Sequence, residues 1–123
     1  MRKPICTEKA PAAIGPYNQG LEVGDFVFVS GQLGMTLDKQ FPLDAEGQAR
    51  QALENIGNIL AAAGLNFSHV VKATIFLTDM KDFQAVNEVY GQFMTEPYPA
   101  RSTIAVKELP LGGLVEIEAI ACR

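Results

Sequence analysis

Arg101 and Thr103 stand two residues apart in the run Pro99-Ala100-Arg101-Ser102-Thr103. The run reads as the start of a strand, and strand alternation sends both side chains to one face. The planar fork of an arginine matches the two oxygens of a carboxylate, so Arg101 can clamp a small acid. Glu116 and Glu118 also share a face, interrupting an otherwise apolar segment, and a glutamate beside the clamp could hold a water. Gly15-Pro16-Tyr17, in a turn entering a strand, offers a phenol as wall or donor. Ser30-Gly31-Gln32, where a β-rich run ends, offers a hydroxyl and a backbone amide in a turn that suits glycine. Each feature also has a purely structural reading. Arg101 can be a solvated surface side chain, and Glu116 and Glu118 an exposed edge or partners of Arg101 or Lys107. Tyr17 can pack on the sheet edge, and Ser30-Gly31 can be plain turn chemistry.

Other chemistries are excluded by what the chain lacks. It contains no phosphate-binding glycine loop, dinucleotide fingerprint, zinc-protease helix or serine-hydrolase elbow. One histidine, His69, and two cysteines at opposite ends, Cys6 and Cys122, leave no ligand set for a structural zinc. His69 reads as a solvent-edge residue, and both thiols as free, small apolar groups near the termini. Ten Lys and Arg against fourteen Asp and Glu give a net charge of −4, without the cationic surplus that nucleic acid rewards. Arg2 and Lys3 are followed by Pro4, Glu8, Lys9 and Pro11, which break any signal-peptide core, and no apolar run has membrane-spanning length. The expectation is a soluble cytoplasmic protein with no nucleic-acid or membrane partner.

The elements that must position these residues follow from periodicity. At 123 residues, 48% apolar and 20% charged, without repeat or linker, the chain is expected to form one domain, 1–123, around one core. Glycines and prolines cut the first half into short strands and turns, among them Phe26-Val27-Phe28-Val29, which is apolar on both faces. Ala49, Ala52, Leu53, Ile56, Ile59, Leu60 and Ala63 recur at spacings of three and four, predicting an amphipathic helix over 45–63 that Gly64 terminates. Val70 to Thr78 predicts a strand with Val71, Ala73, Ile75 and Leu77 on its drier face. Asp79 or Asp82 can cap a second helix with a buried stripe of Phe83, Val86, Tyr90 and Phe93, stopped by Pro97. Two more strands, 100–106 and 114–121, complete an α+β order with both helices on one face of a single mixed sheet. The other face then carries one side of the Phe26–Val29 run together with Leu114, Ile120, Glu116 and Glu118. A mixed apolar and acidic face without helical cover predicts burial against a second copy of the chain.

Four ordered segments, Ile14-Gly15-Pro16-Tyr17-Asn18-Gln19, Val29-Ser30-Gly31-Gln32, Pro99-Ala100-Arg101-Ser102 and Val115-Glu116-Ile117-Glu118-Ala119, resemble the RidA (YjgF) family of reactive intermediate/imine deaminases over essentially the whole length. The resemblance implies a chorismate-mutase-like homotrimer with three clefts between subunits. It also implies cofactor-free hydrolysis of 2-imino acids and their enamine tautomers, 2-aminoacrylate and 2-aminocrotonate, which PLP-dependent dehydratases release, to 2-keto acids and ammonia. Carried over by motif, Arg101 binds the substrate carboxylate and Glu116 orients or activates water, while Tyr17, Ser30 and Gly31 line the pocket and Asn87 faces the cleft. Thr103 stands where many active members carry cysteine, and its hydroxyl can still bond a water or a substrate nitrogen. Two other functions are to be weighed against this one: a non-catalytic trimer that senses keto acids through the same arginine, and an endoribonuclease or translation inhibitor, which the acidic composition disfavours.

Overall fold

The computed structural model describes all residues, 1–123, in a sheet of six strands covered on one face by two helices. The strands are β1 (Arg2–Ile5), β2 (Gly20–Val23), β3 (Phe26–Leu33), β4 (Val70–Leu77), β5 (Ala100–Ala105) and β6 (Val115–Cys122). The helices are α1 (Ala45–Ala62) and α2 (Phe83–Phe93). The order across the sheet is β1-β2-β3-β6-β4-β5, antiparallel throughout except for the parallel pair β4 and β5, which α2 connects. The mixed α+β sheet expected from the sequence is therefore the one observed.

Helix α1 forms where the apolar period predicts, and its stripe Ala49, Ala52, Leu53, Ile56, Ile59 and Leu60 is wholly buried. Burying each of the larger side chains stabilises the fold by about 1.5 to 3 kcal/mol relative to exposure. Asp44 caps its start by accepting from the Gly47 N–H at 2.8 Å. At its end, Gly64 takes φ of +76° while the amides of Gly64 and Leu65 donate back to the carbonyls of Ala61 and Leu60. This paired C-terminal closure needs a left-handed residue, which glycine supplies without strain. The stripe packs on β3 and β6, where Val27, Val29, Val115, Ile117, Ala119 and Ala121 form its floor.

Two predicted faces need correction. Val71 is 44% exposed, because the pairing of β4 with β6 slips between Val70 and Lys72, so Val70 enters the core in its place. Phe83 is 37% exposed, whereas Val86 and Tyr90 are buried as expected, and Val89 joins them. The two capping aspartates divide the work. Asp79 accepts from the Lys81 N–H at 2.9 Å and opens a short 3-10 turn, and Asp82 begins α2 without a side-chain cap bond.

The face opposite the helices has no cover within the chain. Phe26 and Phe28 stand on it in tilted contact, ring centroids 6.3 Å apart, with Ile120 opposite Phe28 across the β3–β6 pair.

Candidate functional site

Arg101 and Thr103 lie on β5 in register with Ala73 and Ile75 of β4, both core residues, so their side chains belong to the helix-covered face. There the guanidinium meets α2. Arg101 Nη1 donates to Asn87 Oδ1 at 2.6 Å, and the guanidinium carbon lies 4.9 Å from the Tyr90 ring centroid and 5.7 Å from that of Phe83. Residues 83, 87 and 90 are spaced by four and three, which places them on one strip of the helix. The three side chains hold the arginine at the edge of a cavity of about 470 Å³ that Gly91, Tyr98 and Pro99 also line. Its charge is opposed by no carboxylate: the ion pairs of the chain are Lys81–Asp79 and Arg123–Glu22. Two hydroxyl oxygens in this region, those of Thr103 and Tyr90, are buried without a hydrogen-bond partner. Burial raises the Tyr90 phenol above its usual range, and the nearby Arg101 charge offsets part of that rise.

Glu116 is built into the sheet from the other side. It lies opposite Leu33 of β3 and Phe76 of β4, whereas its neighbour Ile117 pairs with core positions. The pairing of β3 with β6 jumps from Val29–Ala119 to Gln32–Ile117, so Ser30 and Gly31 form a bulge inside the strand. This corrects the expectation that Ser30-Gly31-Gln32 is a turn where the strand ends. The reason for glycine is also different: a Cβ at position 31 would lie 3.0 Å from the Glu116 carboxyl carbon and 3.1 Å from Oε2. Gly31 thus makes room for the carboxylate. Burial raises the Glu116 carboxyl above the ordinary carboxylate range, and the negative charge of Glu118 raises it further.

Glu116 and Gly31 share a cavity of about 330 Å³ with Tyr17, Ile14 and Leu111. Tyr17 sits on a loop, half-exposed, where its hydroxyl oxygen accepts from the Ile14 N–H at 3.4 Å and its own N–H donates to the Gly15 carbonyl at 2.9 Å. Gly15 takes φ of +120° to allow this turn. Ser30 Oγ donates to the Asn18 carbonyl at 2.5 Å and lines an adjoining cavity of about 420 Å³ with Tyr17, Lys72 and Glu118.

The structure therefore brings the expected site residues together in two groups. Arg101, Asn87 and Thr103 belong to the helix-covered face, and Tyr17, Ser30, Gly31 and Glu116 to the open one. Within one chain Arg101 is not paired with either glutamate, so the reading of Glu116 and Glu118 as its partners fails. The physical reason is register: Thr103 pairs with Ile75, which pairs with Ile117, and Glu116 is one residue out of phase with that row.

Three buried amides that sequence reasoning passed over hold the frame. Gln19 Nε2 donates to the carbonyls of Thr7, Ala10 and Pro11 at 2.8 to 3.2 Å, tying down the loop that leads to Tyr17. Gln48 Oε1 accepts from the Leu114 N–H at 2.8 Å and anchors the approach to Glu116. Asn55 Nδ2 donates to the carbonyls of Leu33 and Met35 beyond the bulge. Each is a glutamine or asparagine at a position that only tertiary structure buries, so no local signal marks it; Gln19 alone fell inside a noted motif. His69 Nδ1 accepts from the Asn66 N–H at 3.1 Å in a local cap, and both cysteines are free. No group of three or more His, Cys, Asp or Glu side chains comes together, and no helix is long and apolar enough to cross a membrane.

Comparison with known proteins identifies the family and the fold. The family model described as Endoribonuclease L-PSP matches residues 7–123. The chain is 52% identical over 125 residues to the goat protein named 2-iminobutanoate/2-iminopropanoate deaminase, covering all of this chain and 91% of that one. It is 47% identical over 127 residues to the reactive intermediate deaminase TdcF of Escherichia coli, covering all of this chain and 98% of that one. The crystal structure of E. coli TdcF with bound serine superposes with a TM-score of 0.93 at 46% identity, covering 98% of each chain. RidA from an Antarctic Psychrobacter superposes with a TM-score of 0.95 at 45% identity, covering 98% of this chain and 99% of that one.

Proposed function

As a member of the Endoribonuclease L-PSP family, the YjgF/RidA family, this chain, we propose, is a 2-iminobutanoate/2-iminopropanoate deaminase. Relatives at 47 to 52% identity over the full length bear the deaminase name. The observation in the molecule that supports the reading most is the Arg101 guanidinium, held by Asn87 at 2.6 Å and facing an open cavity with no carboxylate of its own chain upon it. A fixed, unpaired arginine at a cavity suits a ligand carboxylate.

In the proposed reaction Arg101 binds the carboxylate of a 2-imino acid, the form to which the 2-aminoacrylate and 2-aminocrotonate enamines tautomerise. The protonated imine carbon is already electrophilic, so positioning and a base suffice. Water adds to that carbon and gives one proton to Glu116, while the C=N π pair moves to nitrogen. Glu116 returns the proton to the amine. The C–N bond then breaks as the hydroxyl oxygen forms the carbonyl, and the hydroxyl proton leaves with ammonia as ammonium, yielding the 2-keto acid. A carboxyl whose affinity for protons is raised by burial is the better base near neutral pH. Tyr17, Ser30 and Gly31 would wall the substrate, and the Thr103 hydroxyl would take the place at which many relatives carry cysteine.

The two groups of residues lie on opposite faces, so the site is completed only when Arg101 of one copy meets Glu116 of the next. Such a head-to-tail contact must close into a ring or polymerise. We assign the ring as a homotrimer with three sites, in which the open face carrying Phe26, Phe28 and Ile120 is buried. The substrates would be the imines that PLP-dependent dehydratases release in the cytoplasm.

One observation keeps a second reading in view: Thr103, in place of cysteine, has a buried oxygen without a partner. On that reading the trimer binds keto acids and does not turn over imines. The family description names an endoribonuclease, but a net charge of −4 supplies no cationic track for RNA. The test is release of ammonia from 2-iminobutanoate generated in situ by a threonine dehydratase. Acceleration by the wild type and its loss in Arg101→Ala support the deaminase. No acceleration, with 2-oxobutanoate still bound, establishes the sensor in its place.

A further inference from the structure

Arg101 is the only charged side chain lining its cavity, and an arginine has four rotatable bonds to immobilise before it can serve as a clamp. Asn87 takes one N–H of the guanidinium at 2.6 Å. That leaves the plane of the group free to swing unless something packs on its face. The Tyr90 ring does so, with the guanidinium carbon 4.9 Å from its centroid, closer than the 5.7 Å to Phe83. Phe83 is itself 37% exposed, whereas Tyr90 is 5% exposed and belongs to the packed core. A buried ring under a planar cation is a rigid platform, and desolvation strengthens the attraction.

We propose that Tyr90 is a positioning residue, whose ring fixes the plane of the Arg101 guanidinium so that its free N–H edge is presented to the cavity before any ligand arrives. The proposal deepens the carboxylate-clamp reading and rests on it for its functional consequence, although the contact itself does not. The phenolic oxygen is not part of the platform: it is buried with no partner in the chain. Ring and hydroxyl can therefore be separated. Tyr90→Phe keeps the platform and Tyr90→Leu removes it while filling much of the space.

The expected result is a split between the two variants. Because a clamp of this kind acts in ground state and transition state alike, Tyr90→Leu should raise KM and the Kd of 2-oxobutanoate by about 2- to 30-fold, with kcat little changed. Tyr90→Phe should keep both near wild type. In an Arg101→Ala background Tyr90→Leu should cost nothing further, since the group it positions is gone. A loss equal to that in the wild-type background would overturn the proposal.

A second measurement needs neither ligand nor turnover. In the protein labelled with isotopic arginine, the side-chain protons of Arg101 should show an upfield ring-current shift in wild type and Tyr90→Phe that disappears in Tyr90→Leu. Unshifted Arg101 protons in the wild type would overturn the proposal even if Tyr90→Leu failed to fold. Wild type that binds 2-oxobutanoate but releases no ammonia would remove the deaminase reading and leave this test standing.

Discussion

The space that a side chain at position 31 would need is occupied by the Glu116 carboxyl, whose carbon lies 3.0 Å from the ideal Cβ position of Gly31. A bulge in one strand and a glutamate on the next are thereby made into one unit, and the small residue serves the carboxylate rather than a turn.

Gly31→Ala should therefore harm chemistry more than folding. The added methyl pushes the flexible end of Glu116, and a misplacement near 1 Å at a reacting group can cost about 100-fold in rate. We expect kcat to fall by about 10- to 100-fold with stability changed by less than about 1 kcal/mol. Steady-state kinetics beside thermal denaturation measures both.

Gly34→Ala should do the reverse. A Cβ there would run into the backbone of Gln48 in α1, at its Cα and carbonyl, which cannot yield as a side-chain tip can. Forcing the helix away from the strand should destabilise the fold by about 3 kcal/mol or more. Denaturant unfolding of this variant alongside Gly31→Ala separates the two kinds of glycine.

The raised affinity of Glu116 for protons predicts the acid side of the pH profile. As a base it works only when ionised, so the rate should fall as pH drops through its pKa, at higher pH than an ordinary glutamate would give. Glu118→Gln removes the second cause of the shift and should move that limb to lower pH. For stability the sign is opposite to that of a salt-bridged acid. The folded state holds the proton more tightly than the unfolded chain, so the charged form costs stability above the folded pKa, and that cost vanishes below the unfolded pKa. Glu116→Gln should thus raise Tm at pH 7 by an amount that disappears as the solution is acidified below the usual carboxylate range. Calorimetric scans over pH report it.

In the proposed site Arg101→Ala would remove a charge-assisted bidentate contact worth about 1.5 to 3 kcal/mol, so kcat/KM should drop by about 10- to 100-fold. Arg101→Lys keeps the charge but not the fork and should recover only part of this loss. Titration with 2-oxobutanoate shows whether the loss lies in binding.

How far the molecule was legible in its sequence follows from which interactions are local. The period of α1, its terminating Gly64 and the strand expected over 100–106 depend on neighbours in the chain, and all appear, the strand ending one residue early at Ala105. Val71 was misplaced because a slip in pairing is a relation between strands and leaves no mark on either alone. Phe83 broke the apolar stripe because it packs toward a cation, a contact that hydrophobic periodicity cannot distinguish from burial. Alternation correctly paired Arg101 with Thr103, and Glu116 with Glu118. The apolar residues that alternate with Glu116 and Glu118 also placed that pair on the face without helices, as observed. The face of Arg101 and Thr103 was beyond alternation, since parity within a strand says nothing about phase between strands until registers are known. Residue type and spacing nominated Arg101, Thr103, Glu116, Tyr17, Ser30 and Gly31, the motif resemblance added Asn87 and the roles, and the registers separated them into two groups.

That separation can be tested directly by mixing two impaired variants. Arg101→Ala retains a sound Glu116 face, and Glu116→Gln retains a sound Arg101 face. Unfolded together in equal amounts and reassembled, they should form trimers in which a random contact joins two intact halves with a probability of about one quarter. We predict recovery of about a quarter of wild-type imine hydrolysis from the mixture, with Arg101→Ala reassembled alone at no more than about a tenth of wild type and Glu116→Gln alone also well below the mixture. A mixture no more active than its components, from trimers shown to contain both variants, would contradict the shared site.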